Sequence, residues 1–197
     1  MFCAASLLMS CSSSCGDANS DQACTSDAVI ENIMTRTSIR QFTSQPVSND
    51  TLDMLVKAGM AAPSAVNAQP WAFVVVTDRE KLDSLDAVHH HANLKTATAA
   101  IIVCGNMQKA MEGKLAEYWV QDCSAATENI LLAAHACGLG AVWCGVYPNE
   151  AVIPGVKRVL ELPEYIMPLN IITMGYPAEQ PAPKDKFKEE NVHYQKW

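Results

Sequence analysis

Four short apolar runs punctuate this chain, and between them apolar residues return every three or four positions. The runs are Ala72–Thr77 (AFVVVT), Ala99–Cys104 (AAIIVC), Ala141–Val146 and Leu169–Met174. Their length and branched side chains suit strands buried on both faces. The intervening segments read as helices. Ser26-Asp27 can cap a first one, with Val29, Ile30, Ile33 and Met34 as its apolar face. Ser48 can cap a second, carrying Leu52, Leu55, Val56, Gly59 and Met60 up to a stop at Pro63. Asp78 caps a third, with Leu82, Leu85 and Val88 inward. Gly113–Cys137 reads as one long helix ending at Gly138, and Asn149–Leu160 as a helix interrupted by Pro154. Ala125, Ala126, Leu132, Ala133 and Ala136 give the long helix a face rich in small residues, suited to close helix packing. Helices alternating with strands predict a sheet covered by helices on both faces. The Pro/Lys-rich tail after Gly175 has no helical period and is expected to wrap over a neighbour.

Composition narrows the function classes. The chain has 197 residues, enough for one ordinary domain. With 49% hydrophobic and 18% charged residues it is a globular sequence, and a net charge of −7 argues against a dedicated nucleic-acid binder. Eight cysteines form no CxxC pair, so a zinc ribbon or thioredoxin-type motif is not expected; Cys104, Cys123, Cys137 and Cys144 read as small buried hydrophobes. There is no G-x-S-x-G, P-loop or HExxH to support a hydrolase or an NTPase.

Residues 1–25 form a separate unit: a short apolar stretch, then a Ser/Gly/Asp/Asn-rich tract expected to be a flexible linker. Leu8-Met9-Ser10-Cys11 resembles a lipoprotein lipobox, which would lipidate Cys11 and anchor the protein at a membrane outside the cytoplasm. The resemblance is loose, since no Lys or Arg precedes Arg36 and only ten residues precede Cys11; a start upstream of Met1 or an inert apolar tail would account for this, and the cytoplasm is the alternative location. Residues 26–197 are taken as the folded domain.

Candidate chemistry falls in four clusters. Arg36-Thr37-Ser38-Ile39-Arg40 places two guanidiniums four residues apart, suited to a phosphate or to a helix C-terminus. Ala62–Trp71 (APSAVNAQPW) is a proline-stiffened loop offering Ser, Asn and Gln side chains, or an ordinary turn. Gly138–Pro148 (GLGAVWCGVYP) contains glycines that let a ligand approach a strand end, or that merely cap a helix. Lys184-Asp185-Lys186 is either a solvated pair or a second basic arm. His89-His90-His91 cannot share a metal ion on a helix and is expected to be an exposed helix end.

In this order, the four clusters together with Gln41-Phe42 and Gly175-Tyr176-Pro177 resemble the FMN-dependent nitroreductase family over residues 27–197. The resemblance implies an α+β three-layer α/β/α sandwich with a mixed central sheet, in an intertwined homodimer with flavin at the interface. It implies that Arg36, Ser38 and Arg40, with Thr37 between them, hold the phosphate, ribityl chain and pyrimidine edge of FMN, and that Lys184 and Lys186 reach the phosphate. Pro63, Ser64, Asn67 and Gln69 would come from the other subunit, and Cys144-Gly145 would lie beside the flavin ring. No side-chain acid or base is expected. The implied reaction is ping-pong reduction of nitroaromatic, quinone or similar electron-poor acceptors by NADH or NADPH. A specialised enzyme of the same fold, such as a reductive dehalogenase relative with Met111–Trp119 as lid, and a non-catalytic membrane-tethered flavin carrier are the alternatives.

Overall fold

The structure is a computed structural model that describes residues 18–197, with side chains described from Ser26 onward. The lipobox-like Leu8–Cys11 lies outside the described residues. Helix α1 spans Ala18–Thr35, nine residues earlier than the start at Asp27 that a cap at Ser26 predicts. Helix α2 (Asn49–Met60) starts where expected: the Ser48 hydroxyl accepts the Thr51 N–H at 3.2 Å. Strand β1 (Trp71–Val76), helix α3 (Arg79–Val88, capped by Asp78) and strand β2 (Ala99–Asn106) follow the pattern closely.

The predicted long helix divides. Gly113–Glu117 is a 3-10 turn entered through Gly113 at φ +60°, and α4 proper is Tyr118–Ala136. Gly138, at φ +72°, terminates it in the left-handed conformation that glycine adopts without penalty. Strand β3 is Gly140–Gly145. Helix α5 is Ile153–Val159: Pro154 sits in its first turn, where no N–H is needed, and so opens the helix instead of interrupting it. Strand β4 (Ile166–Gly175) starts three residues earlier than its apolar run.

The strands lie in the order β1-β2-β4-β3, and every ladder between them is antiparallel. Among the described residues, parallel pairing is confined to the isolated bridge between Ser38 and Ala141. Alternation along the strands builds the three layers. Ile101, Val103, Ile172 and Met174 point to the face covered by α2 and α4, with Leu52, Leu55, Ala126 and Ile130. Ala100, Ile102, Cys104 and Ile171 point to the face covered by α3 and α5, with Leu82, Leu85 and Val156. The small face of α4 is partly spent within the protomer, since a Cβ on Gly59 of α2 would lie 2.9 Å from Ile130. By contrast, Val29, Ile30, Ile33 and Met34 of α1 remain exposed. Among the described residues no helix is long and apolar enough to cross a membrane.

Candidate functional site

Two glycines facing each other decide where the first cluster lies. Gly140 and Gly175 are register partners at one end of the β3–β4 ladder. A Cβ on Gly140 would sit 2.6 Å from Ile39, and one on Gly175 would sit 3.1 Å from Phe42. Their bare backbones let residues 38–43 lie across the sheet end. That segment is bonded on both sides. The Ile39 N–H donates to the Ala141 carbonyl at 3.1 Å, and the Thr43 N–H to that of Tyr176 at 2.8 Å.

This crossing carries Arg40 to the far half of β3. Arg40, Trp143, Cys144, Gly145 and Asn149 line a cleft of about 500 Å³ together with His89, His90, His91 and Asn93. Gly145 has nothing within 4 Å of where a Cβ would stand, so the strand end opens directly onto the cleft. The Gly145 carbonyl is held by His89 Nε2 at 2.9 Å. Burial is the main cause that lowers the His89 pKa from 6.5, reinforced by His91 and His90 and opposed by the Gly145 bond and Asp86. His89 is therefore neutral near pH 7 and donates Nε2–H to that carbonyl.

Cys144 is also buried, and its thiol is pushed up by desolvation against the pull of Asn93, Thr173 and Arg40. It stays protonated at neutral pH and serves as packing, not as a nucleophile. Cys104 and Cys123 are likewise raised by burial, Cys104 to about 12. The expectation for Cys137 fails: it follows the last turn of α4 and is exposed.

The remaining candidates lie elsewhere. Arg36 is mostly covered and pairs with Glu128 of α4 at 3.6 Å. Thr37 and Ser38 are half-buried between it and the sheet end. The Pro63–Gln69 loop is stitched internally: Ser64 Oγ accepts the Gln69 N–H at 3.0 Å, and Gln69 Nε2 donates to Asn67 Oδ1 at 2.9 Å. Asp122 of α4 accepts the Ala65 N–H at 2.8 Å. Val66, Asn67 and Gln69 all have positive φ, uncommon for non-glycine residues, and these hydrogen bonds hold them there. It lines no part of the Arg40 cleft. Lys184 and Lys186 are exposed on the tail, away from that cleft. Thus one protomer unites Arg40, Cys144 and Gly145, and leaves the loop and the two lysines apart.

His90 and His91 are exposed beyond the α3 C-terminus, as expected, whereas His89 departs from the expectation by being buried; all three line the cleft. Asn93 and Asn149 are further lining residues that sequence reasoning missed. The available signal was positional: His91-Ala92-Asn93 lies in the connection between α3 and the second buried strand.

This α/β/α architecture, which places the cleft at the sheet end, recurs among known oxidoreductases. The family model described as "Nitroreductase family" matches residues 33–95 and 86–176. The chain belongs to the nitroreductase family. A Methanothermobacter thermautotrophicus protein named NADH dehydrogenase/NAD(P)H nitroreductase is 46% identical over 170 residues, 86% of this chain and 87% of that protein. A crystal structure bearing the same enzyme name, from Bacteroides thetaiotaomicron, superposes with a TM-score of 0.81 at 44% identity, covering 86% of this chain and 98% of that one. The NADPH:FMN oxidoreductase of Vibrio harveyi, solved with NAD+, gives a TM-score of 0.77 at 28% identity over 86% and 77% of the two chains.

Proposed function

We propose that this protein reduces nitroaromatic, quinone or similar electron-poor acceptors, with reductant and acceptor using one cleft in turn. As a nitroreductase-family member it is an NAD(P)H-dependent oxidoreductase with FMN as cofactor, as the names of its relatives support. The observation that carries the reading is the delivery of Arg40 to the open strand end at Cys144-Gly145.

The donor set fits FMN. A guanidinium, histidine and asparagine side chains and an unobstructed glycine edge suit a planar, anionic ligand with carbonyl and ring-nitrogen acceptors. FMN, when bound, supplies the hydride chemistry. Arg40 offsets negative charge on the ligand. The His89 bond fixes the Gly145 peptide plane at the ring-facing end of β3. Arg36, held by Glu128, and Ser38 would take the phosphate and ribityl chain.

Pro63, Ser64, Asn67 and Gln69, with Lys184 and Lys186, would complete the site from a second copy. Two observations support this homodimer: the loop is rigid yet lies off the cleft of its own protomer, and α1 presents an exposed apolar face. The location we propose is a membrane surface, through a lipid on Cys11; mass spectrometry of the cellular protein would show the lipid adduct or exclude it.

The decisive experiment is an anaerobic absorption spectrum of the purified full chain, before and after NADH and then NADPH. A two-banded flavin spectrum that bleaches is expected. A flavin spectrum that persists with both reductants would favour a carrier, and a protein that takes up no FMN would remove the cofactor reading.

A further inference from the structure

The backbone at Arg40 is held by a carboxylate from the opposite end of the chain. Glu179 Oε1 accepts the Arg40 N–H at 2.5 Å and the Gln41 N–H at 3.1 Å. Two successive N–H groups converging on one oxygen form a small anion-binding concavity in the main chain. Here it is filled by the protein's own side chain. Beside it the Ala178 N–H donates to the Gln41 carbonyl at 2.9 Å, and Phe42 bridges Pro177. The segment is thus pinned at Ile39 by β3 and at Arg40-Gln41 by Glu179.

We propose that Glu179 is a positioning residue: by fixing the main chain of Arg40 it aims that guanidinium into the cleft. Arg40 itself is exposed, and among the described residues its side chain donates to the Ser38 carbonyl alone, at 3.5 Å, the limit of a useful bond. Its direction is therefore set from the main chain, and the strong, charge-assisted contacts on that main chain are those of Glu179. The effect on ligand binding rests on the reading of the cleft as the FMN site. The effect on the main chain does not.

The test uses the full-length protein with Glu179→Ala and Glu179→Gln. Amide hydrogen exchange is followed by NMR in the FMN-free protein, and FMN affinity by quenching of flavin fluorescence. Glu179→Ala should speed exchange at Arg40 and Gln41 about tenfold or more, leave the β3 and β4 amides unchanged, and weaken FMN binding about tenfold. Glu179→Gln keeps an acceptor oxygen of the same reach, so it should restore most of both quantities. Unchanged exchange at Arg40 and Gln41 in Glu179→Ala would overturn the brace. Faster exchange with unaltered FMN affinity would overturn the positioning role, as would a glutamine variant no better than alanine. If the unaltered protein binds no FMN, the cofactor reading fails, and with it the positioning role toward FMN, while the exchange data still decide whether the brace exists.

Discussion

Gly140 and Gly175 face each other across a ladder, and neither leaves room for a side chain. Gly140→Ala forces a methyl against Ile39, and we expect a loss of about 1–3 kcal/mol in urea unfolding, the usual cost of overpacking. Arg40→Ala makes the complementary case. The side chain is exposed, so the unfolding midpoint should hold, while FMN affinity falls about 10- to 100-fold, the worth of a charge-assisted contact. A fully flavin-loaded Arg40→Ala protein after purification would contradict the assignment. At this scale the sequence was legible where chemistry and geometry share a residue. Arg40 and Gly145 each had an ordinary alternative use, and only the order of the four clusters together singled them out. His89 did not, because a histidine at a helix end reads the same whether it is solvated or bonded to a carbonyl 56 residues away.

Elements carry their own signals and their own blind spots. The Ser48 and Asp78 caps fixed two helix starts to the residue, since an N-cap is a local hydrogen bond. The 3-10 turn before α4 was missed because Gly113–Glu117 keeps a helical apolar period. What places Trp119 is Gly105, whose missing side chain leaves room for the indole. Packing Trp119 into the core also removes it from any lid. The junction of α3 with the second strand predicts a pH response. His89 is held neutral by burial, with Asp86, His90 and His91 as its charged or titratable neighbours. Its folded pKa lies below 6.5, so the unfolded chain binds the extra proton first. The stability that neutral His89 provides is complete above pH 6.5 and is lost as pH falls through the lowered folded value. Thermal melts of the protein should show this decline, and His89→Gln should flatten it. An unchanged slope in the variant would assign the decline to other groups.

The whole molecule has a surface that the single protomer does not explain. Ile30 is 60% exposed and Met34 is 69% exposed on α1, while the opposite side of that helix is tied to α4 by Asn32 Nδ2 on the Leu132 carbonyl. An apolar face of this kind calls for a partner. In the proposed homodimer Ile30→Asp should shift the protein to monomers in sedimentation velocity and release flavin with it. A dimer that survives the change intact would move the interface elsewhere. The antiparallel strand order was not legible in the sequence, because buried strands carry no mark of direction. Among the described residues, the isolated Ser38–Ala141 bridge is the parallel pairing that touches the sheet.

Arg40 and the carboxylate bonded to its main chain are 139 residues apart. Protein synthesis adds roughly 5–20 residues per second, so a ribosome makes Glu179 on the order of ten seconds after Arg40. Every strand of the sheet, including β4, has been synthesised before that carboxylate exists. Glu179 follows the end of β4 by only four residues, about a second or less of synthesis, so the sheet and the brace are completed together. On the positioning role proposed for Glu179, truncation just after Gly175 should leave the strands in place and the arginine poorly aimed.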